Sequence, residues 1–259
     1  MLTISPLFSG SKGNCTLIQS DTTNILLDAG YSCRSIVRAL ELRGLTQKDI
    51  DAIIITHEHA DHIAALPQWQ RRVTTLVYAP EPIADFIQQR VYFAEVHAVT
   101  GEFSVGNIRV DTYKCSHDAN CCFGYRFTVG SSSLACVTDT GCVTEQLIHF
   151  LVPCKAVMIE SNHDVNMLQR GEYPFPLKRR ILSSDGHLSN EQAAEVITQI
   201  ATGNVKDIIL AHLSEQNNTK EIAFATAVRA LANIGVVEGK DVRVCVADQY
   251  KNEVTICLD

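Results

Sequence analysis

The apolar positions divide the chain into amphipathic helices and shorter, continuously apolar strands. Cys33, Ile36, Val37 and Leu40 fall at i, i+3, i+4 and i+7, which predicts a helix, and Gly44 stands where its C-terminal cap is expected. Ala193, Val196, Ile197 and Ile200 repeat the spacing behind Ser189 and Gln192, the two partners of a capping box. Phe224, Ala227, Val228 and Leu231 form a third stripe. Between the helices lie Ile25–Leu27, Ile53–Ile55, Leu134–Val137, Ala156–Ile159 and Ile208–Leu210, runs whose length suits strands covered on both faces. Segments 94–113 and 123–137 read as hairpins, with Gly106-Asn107 and Gly130-Ser131 as turns. No repeat and no linker divides the chain, so one domain over residues 1–259 is expected. Its fold class is α/β, layered helix, sheet, sheet, helix.

The residues that follow the apolar runs carry the chemistry. Leu27 precedes Asp28, Ile55 precedes Thr56-His57, and Val137 precedes Thr138-Asp139. Ile159 precedes Glu160, and Leu210 precedes Ala211-His212. If these strands share a sheet, five acids and imidazoles gather along its C-terminal edge, a common place for sites in α/β architectures.

Composition narrows the class. Hydrophobic residues make up 46% and charged residues 20%, which excludes a disordered or fibrous chain. The ten cysteines contain no Cys-x-x-Cys and mostly sit inside apolar runs, so they read as reduced thiols of a cytoplasmic protein. No uncharged apolar run approaches the ~18–20 residues that span a bilayer. Met1–Pro6 lacks the features of a secretory signal, so a soluble protein with no membrane partner is expected. A net charge of −7 disfavours a protein that coats nucleic acid, yet permits a nuclease, because carboxylates that bind metal count as negative until the ion arrives.

The densest signal is Thr56-His57-Glu58-His59-Ala60-Asp61-His62. Three imidazoles and two carboxylates in six positions are expensive to bury without a cation. His57 and His59, two apart on extended backbone, share a side. Asp61 and His62 enter a helix and turn back toward a neighbouring ion. The helical zinc-protease motif is excluded, since it needs a histidine where Asp61 stands.

This stretch resembles the Thr-His-x-His-x-Asp-His signature of the metallo-β-lactamase superfamily, whose fold is an αβ/βα sandwich with two metals at one edge. Later elements follow the family's order. Leu27-Asp28-Ala29-Gly30 is similar to its first motif, whose aspartate braces the ligand loop. Cys115-Ser116-His117-Asp118 would carry the third-motif histidine, Thr138-Asp139-Thr140-Gly141 the bridging aspartate and Ala211-His212 the last histidine. The resemblance implies that His57, His59 and His117 hold one ion and Asp61, His62 and His212 the other. Asp139 would bridge the two, and Asp28 would orient a histidine from behind. Such a pair sits about 3.5–4 Å apart and deprotonates a water near neutral pH. The nitrogen and oxygen ligands admit two divalent ions, zinc or manganese, with iron(II) possible.

Further words point to phosphodiesters. Glu160-Ser161-Asn162 and Asp185-Gly186-His187-Leu188-Ser189 are similar to motifs of the RNase J and DNA-repair nuclease branch, where the histidine lies near the scissile phosphate. They imply that Asp61, His187 and Glu160 serve the reaction, His187 as leaving-group acid or phosphate contact beside a helix start. Ser9-Gly10-Ser11-Lys12-Gly13-Asn14 resembles the opening of the small bacterial WalJ/YycJ-type exonuclease-like branch. That likeness implies a DNA exonuclease working on DNA ends, with 5′-to-3′ polarity. The cap domain of RNase J is absent, because only 48 positions separate Asp139 from His187. Residues 171–180, with Pro174, Pro176 and Lys178-Arg179-Arg180, read as an irregular basic loop beside the site. Arg34, Arg38 and Arg43 are basic, but no strong aromatic–basic stretch for stacking bases is present. His97 is placed in an alternating strand, His149 in a helix, His163 near the acidic motif, and Trp69 in the core. Two alternatives remain on the same ligand set: a small-molecule metallo-hydrolase (cyclic phosphodiesterase, thioesterase or lactonase), and a non-catalytic metal-binding regulatory protein.

Overall fold

The computed structural model describes residues 1–92, 94–251 and 253–259. Two seven-stranded sheets face one another. The first holds β1 (Leu2–Phe8), β2 (Cys15–Ser20), β3 (Asn24–Leu27), β4 (Ala52–Ile54), β5 (Leu76–Pro80) and β6 (Val96–Val99), closed by the C-terminal β14 (Ile256–Leu258) in the order β14-β1-β2-β3-β4-β5-β6. The second holds β7 (Phe103–Val105), β8 (Ile108–Lys114), β9 (Phe123–Val129), β10 (Ser132–Val137), β11 (Ala156–Glu160), β12 (Asp207–Ala211) and β13 (Arg243–Val246), in the order β13-β12-β11-β10-β9-β8-β7. Each sheet is half antiparallel and half parallel: β3 to β6 run parallel in one, β10 to β13 in the other.

The helices cover the outer faces. They are α1 (Cys33–Glu41), α2 (Ala60–Ile63), α3 (Leu66–Gln70), α4 (Glu81–Gln88), α5 (Glu145–Leu151), α6 (Val165–Arg170), α7 (Phe175–Ile181), α8 (Asn190–Ile200) and α9 (Lys220–Asn233). All three stripes read from the sequence lie on helices, α1, α8 and α9. Ser189 and Gln192 form the expected box at the start of α8.

The continuous apolar runs follow from burial on both faces. Leu134 and Cys136 of β10 point between the sheets, while Ala135 and Val137 pack toward α5, α8 and α9. In β11, Ala156 and Met158 face the first cluster, Val157 and Ile159 the second. Alternation therefore selects which core a residue joins, not whether it is buried. Trp69 is fully buried, its indole donating to Thr75.

Two expectations change. In segment 94–113 only β7 and β8 form a hairpin, around Gly106; β6, which carries His97, pairs in parallel with β5 of the other sheet. Alternation shows that a strand has two faces but not which sheet it joins. Residues 175–181, expected as loop, form α7. Pro174 precedes it and Pro176 sits in its first turn, where a missing N–H costs nothing. Lys178, Arg179 and Arg180 fill its last turn, where cations oppose the helix dipole. All ten cysteines are free thiols, and among the described residues no helix is long and apolar enough to cross a membrane.

Candidate metal centre

The polar groups at the ends of the parallel strands converge, but from two sheets rather than one. Asp28 and His57 come from the first sheet, and Asp139, Glu160 and His212 from the second. Asp28, Asp139 and His212 each turn the chain with positive φ, at 61°, 56° and 56°. Outside glycine this costs roughly 1–2 kcal/mol per residue, and it persists where the surroundings over-determine the backbone. All three strained turns lie in this one site.

The signature loop wraps around the point of convergence. The His57 and His59 rings lie 4.6 Å apart, and those of His57 and His62 4.0 Å. Asn14 and Ala29 hold the loop's backbone, Asn14 N–H donating to the Asp61 carbonyl and Ala29 N–H to that of His62, each at 2.8 Å. The fit demands glycine at position 30, since a Cβ there would stand 1.6 Å from the Asp61 carbonyl oxygen.

Behind the loop, Asp28 is buried and fully engaged. It accepts from Thr56 N–H at 2.8 Å, from the Thr56 hydroxyl, and from His62 Nδ1 at 2.8 Å. Thr56 Oγ1 also lies 3.0 Å from His57 Nδ1. One carboxylate thus fixes two imidazoles and leaves both Nε2 atoms for the interior. Glu160 does the same on the other side, with no exposed surface. Its Oε1 accepts from His187 Nδ1 and His212 Nδ1, both at 2.8 Å, and its Oε2 from the backbone N–H of Thr140 and Leu188. His117 gives Nδ1–H to the Gly186 carbonyl at 3.1 Å.

The atoms left over face one another. His57 Nε2, His212 Nε2 and Asp139 Oδ2 are buried without a hydrogen-bond partner. His57, His59 and His117 bring one nitrogen each within 4.8 Å of one another. Asp61, His62 and His212 do likewise, and Asp139 joins both His57–His62 and a group of Glu160, His187 and His212. His62 Nε2 lies 3.4 Å from Asp139 Oδ2 and 3.5 Å from Asp61 Oδ2. Ligand atoms buried this close together, three of them without a hydrogen-bond partner, fit divalent cations.

Their electrostatics divide. Burial, aided by neighbouring imidazoles, pushes His57 well below the ordinary histidine value, and burial does the same to His117. Both are neutral, the form that binds metal. Burial also opposes charge on His62 and His212, but Asp28 and Asp139 outweigh it at the first. At the second Asp139, Asp61 and Glu160 prevail and push it up to about 10. Burial likewise opposes the charge of Glu160, which His187 and His212 nevertheless hold down at about 2.

Every site residue named from the sequence lies in this cluster. Glu160 is fully buried and accepts from the Nδ1 of both His187 and His212. His163 is buried nearby with both ring nitrogens unpartnered, while His97 and His149 lie in β6 and α5. Sequence reasoning missed Ser9, whose hydroxyl accepts from His212 N–H at 2.9 Å, and Asn14, whose amide reaches His62 Nε2 at 3.0 Å. Both stand in the glycine-rich opening, which was the available signal. Of the basic stretch expected beside the site, Arg180 reaches it: it pairs with Asp118 and lines a pocket of about 220 Å³ with His59, Asp61, Asp139, His187 and His212.

Comparison with known proteins agrees with this geometry. The family model described as "Beta-lactamase superfamily domain" matches residues 23–213. The chain belongs to the metallo-β-lactamase superfamily. Within that family it is 36% identical over 247 residues to the exodeoxyribonuclease WalJ of Streptococcus pneumoniae serotype 2 (strain D39 / NCTC 7466), covering 93% of this chain and 92% of the relative. It is also 36% identical over 244 residues to the exodeoxyribonuclease YycJ of Bacillus anthracis, covering 92% of each. Among solved structures, the metallo-β-lactamase fold protein YhfI of Bacillus subtilis superposes with a TM-score of 0.75 at 18% identity, over 99% of both chains. Human tRNase Z, short form, does so at 0.68 and 15%, also over 99% of both. At these identities the likeness shows the fold.

Proposed function

We propose that the chain is a dinuclear-metal phosphodiesterase that degrades DNA from its ends. The observation that carries this reading is the meeting of two ligand groups, His57–His59–His117 and Asp61–His62–His212, across Asp139, in the pocket that also holds His187 and Arg180. Two divalent ions, zinc or manganese, would supply a low-pKa water and neutralise charge on the phosphate.

The chain's own residues supply the rest. Asp28 and Glu160 hold four imidazoles in fixed orientation, so donor atoms need not reorganise during turnover. His187 keeps Nδ1 on Glu160 and leaves Nε2 for the pocket. Burial opposes its charge, but Glu160 and Asp139 outweigh burial and raise its pKa, which favours the protonated form. That state suits a general acid at the leaving oxygen. Arg180, oriented by Asp118, presents a guanidinium to a phosphate in the same pocket. The degradation of DNA, rather than a smaller ester, rests on the WalJ and YycJ relatives.

Incubation of manganese- or zinc-loaded protein with single- and double-stranded DNA, labelled at the 5′ or 3′ end, tests this. Stepwise loss of nucleotides from one end is expected. Intact DNA alongside two bound metals per chain overturns the proposal.

A further inference from the structure

The metal pocket is not the largest hollow in the molecule. A groove of about 670 Å³ opens between α1 and the chain around Tyr250, floored by Leu7 and Phe8. Phe8 stacks on Tyr31 with ring centroids 4.3 Å apart and planes 15° from parallel. Tyr250 meets Tyr31 edge-on at 6.5 Å and is 46% exposed. Four cations, Arg34, Arg38, Arg43 and Lys251, line the groove against one lining carboxylate, Glu253, which pairs with Lys251, while Arg38 lies 3.5 Å from Glu41. Arg34 and Arg38 are exposed and stand four residues apart, one above the other on α1. In a chain of net charge −7 this is a local excess of the opposite sign.

A short segment, Ser11 to Gly13, links the metal pocket to the groove. Ser11 lines the metal pocket, and the next residue, Lys12, reaches Tyr250 Oη at 2.9 Å and Glu215 at 2.8 Å. Gly13 follows, packed so closely on Tyr31 that a Cβ would stand 2.6 Å from its Cα. One short segment therefore lines the metal pocket at Ser11 and contacts the groove's two tyrosines through Lys12 and Gly13.

We propose that this groove is a single-stranded DNA subsite that seats the nucleotides running on from the metal centre, a reading that rests on the nuclease assignment. Tyr250 and Tyr31 offer rings on which bases stack, and Arg34 and Arg38 hold the phosphates between them. Charge alone would suit an acidic peptide. The rings beside the arginines, and a direct chain link to the pocket proposed to cut phosphodiesters, match a nucleic-acid strand instead. The sequence hid this surface because its rings come from positions 8, 31 and 250, and only the fold sets them beside α1.

The test is fluorescence anisotropy on the metal-loaded full chain with nuclease-resistant phosphorothioate probes: a thymidine 20-mer, a thymidine trimer and an abasic 20-mer of equal charge. The wild type is expected to bind the 20-mer at least tenfold tighter than either other probe. Tyr250→Ala weakens 20-mer binding about five- to hundredfold, and Tyr250→Phe, which keeps the ring, restores it. Arg34→Ser with Arg38→Ser, both exposed, lowers the slope of log affinity against log salt by about 1.4. Equal binding of the abasic and thymidine 20-mers, or variants that bind as the wild type does, overturns the subsite while DNA degradation by the wild type keeps the nuclease reading. Displacement of the 20-mer by a polyglutamate of equal charge with equal potency overturns the DNA assignment. Failure of metal-loaded wild type to degrade DNA overturns the nuclease reading, and the subsite with it.

Discussion

At the scale of single residues, the site is organised by two carboxylates that touch no pocket. Asp28 and Glu160 each accept from the Nδ1 of a histidine and from backbone or hydroxyl donors, which leaves Nε2 aimed inward. Glu160→Gln keeps the shape but removes the charge that holds His187 protonated. The variant is expected to lose about 10–100-fold in kcat. The alkaline limb of its pH–rate profile should move to lower pH, since a less basic His187 surrenders its proton sooner. An unshifted limb would remove His187 from the acid role. Metal binding carries a second pH signature. His57 and His117 are neutral at pH 7, so an ion at the three-histidine group displaces no proton from them. His62 and His212 are held charged by surrounding carboxylates, and an ion at their Nε2 atoms must displace those protons. Affinity at the second group should therefore rise steeply from pH 6 to 8, by up to tenfold per unit for each proton released, and less steeply at the first. Calorimetric metal titration in buffers of different ionisation enthalpy measures both; two parallel profiles would contradict the assignment.

At the scale of elements, β3, β4, β10, β11 and β12 were legible because they are buried on both faces and end at a functional group. The five apolar runs lie on these strands, Ile55 alone falling one residue past β4. The hairpin at 94–113 was misread because β6 and β7 lie in different sheets although only Thr100–Glu102 separate them, and local alternation holds no record of that crossing. Helix α7 was misread as a loop because two prolines and a basic run look irregular until the prolines are placed before and within a first turn. The correction has a functional consequence, since a helix presents Arg180 in one fixed direction, with Asp118 behind it. Arg180→Gln is expected to raise KM for DNA about tenfold or more with a smaller change in kcat, read from steady-state kinetics on an end-labelled oligonucleotide. A loss confined to kcat would make Arg180 a transition-state contact instead.

At the scale of the whole molecule, the metal-binding stretch could be read because four of its members sit within six positions. Its completion by His117, Asp139 and His212 followed from family order, and the fold joins them by bringing the ends of two sheets to one edge. What could not be read was whatever depends on that assembly alone: the link of pocket to groove through Lys12, the grip of Ser9 on His212, and the aromatic–arginine surface drawn from both ends of the chain. The central claim is that seven side chains close around two cations. Metal content per chain, measured by mass spectrometry after reconstitution and desalting, tests it most directly. Two equivalents are expected in the wild type and one or fewer in Asp139→Asn, whereas an Asp139→Asn protein that retains both, or a wild type that retains none, would contradict the account.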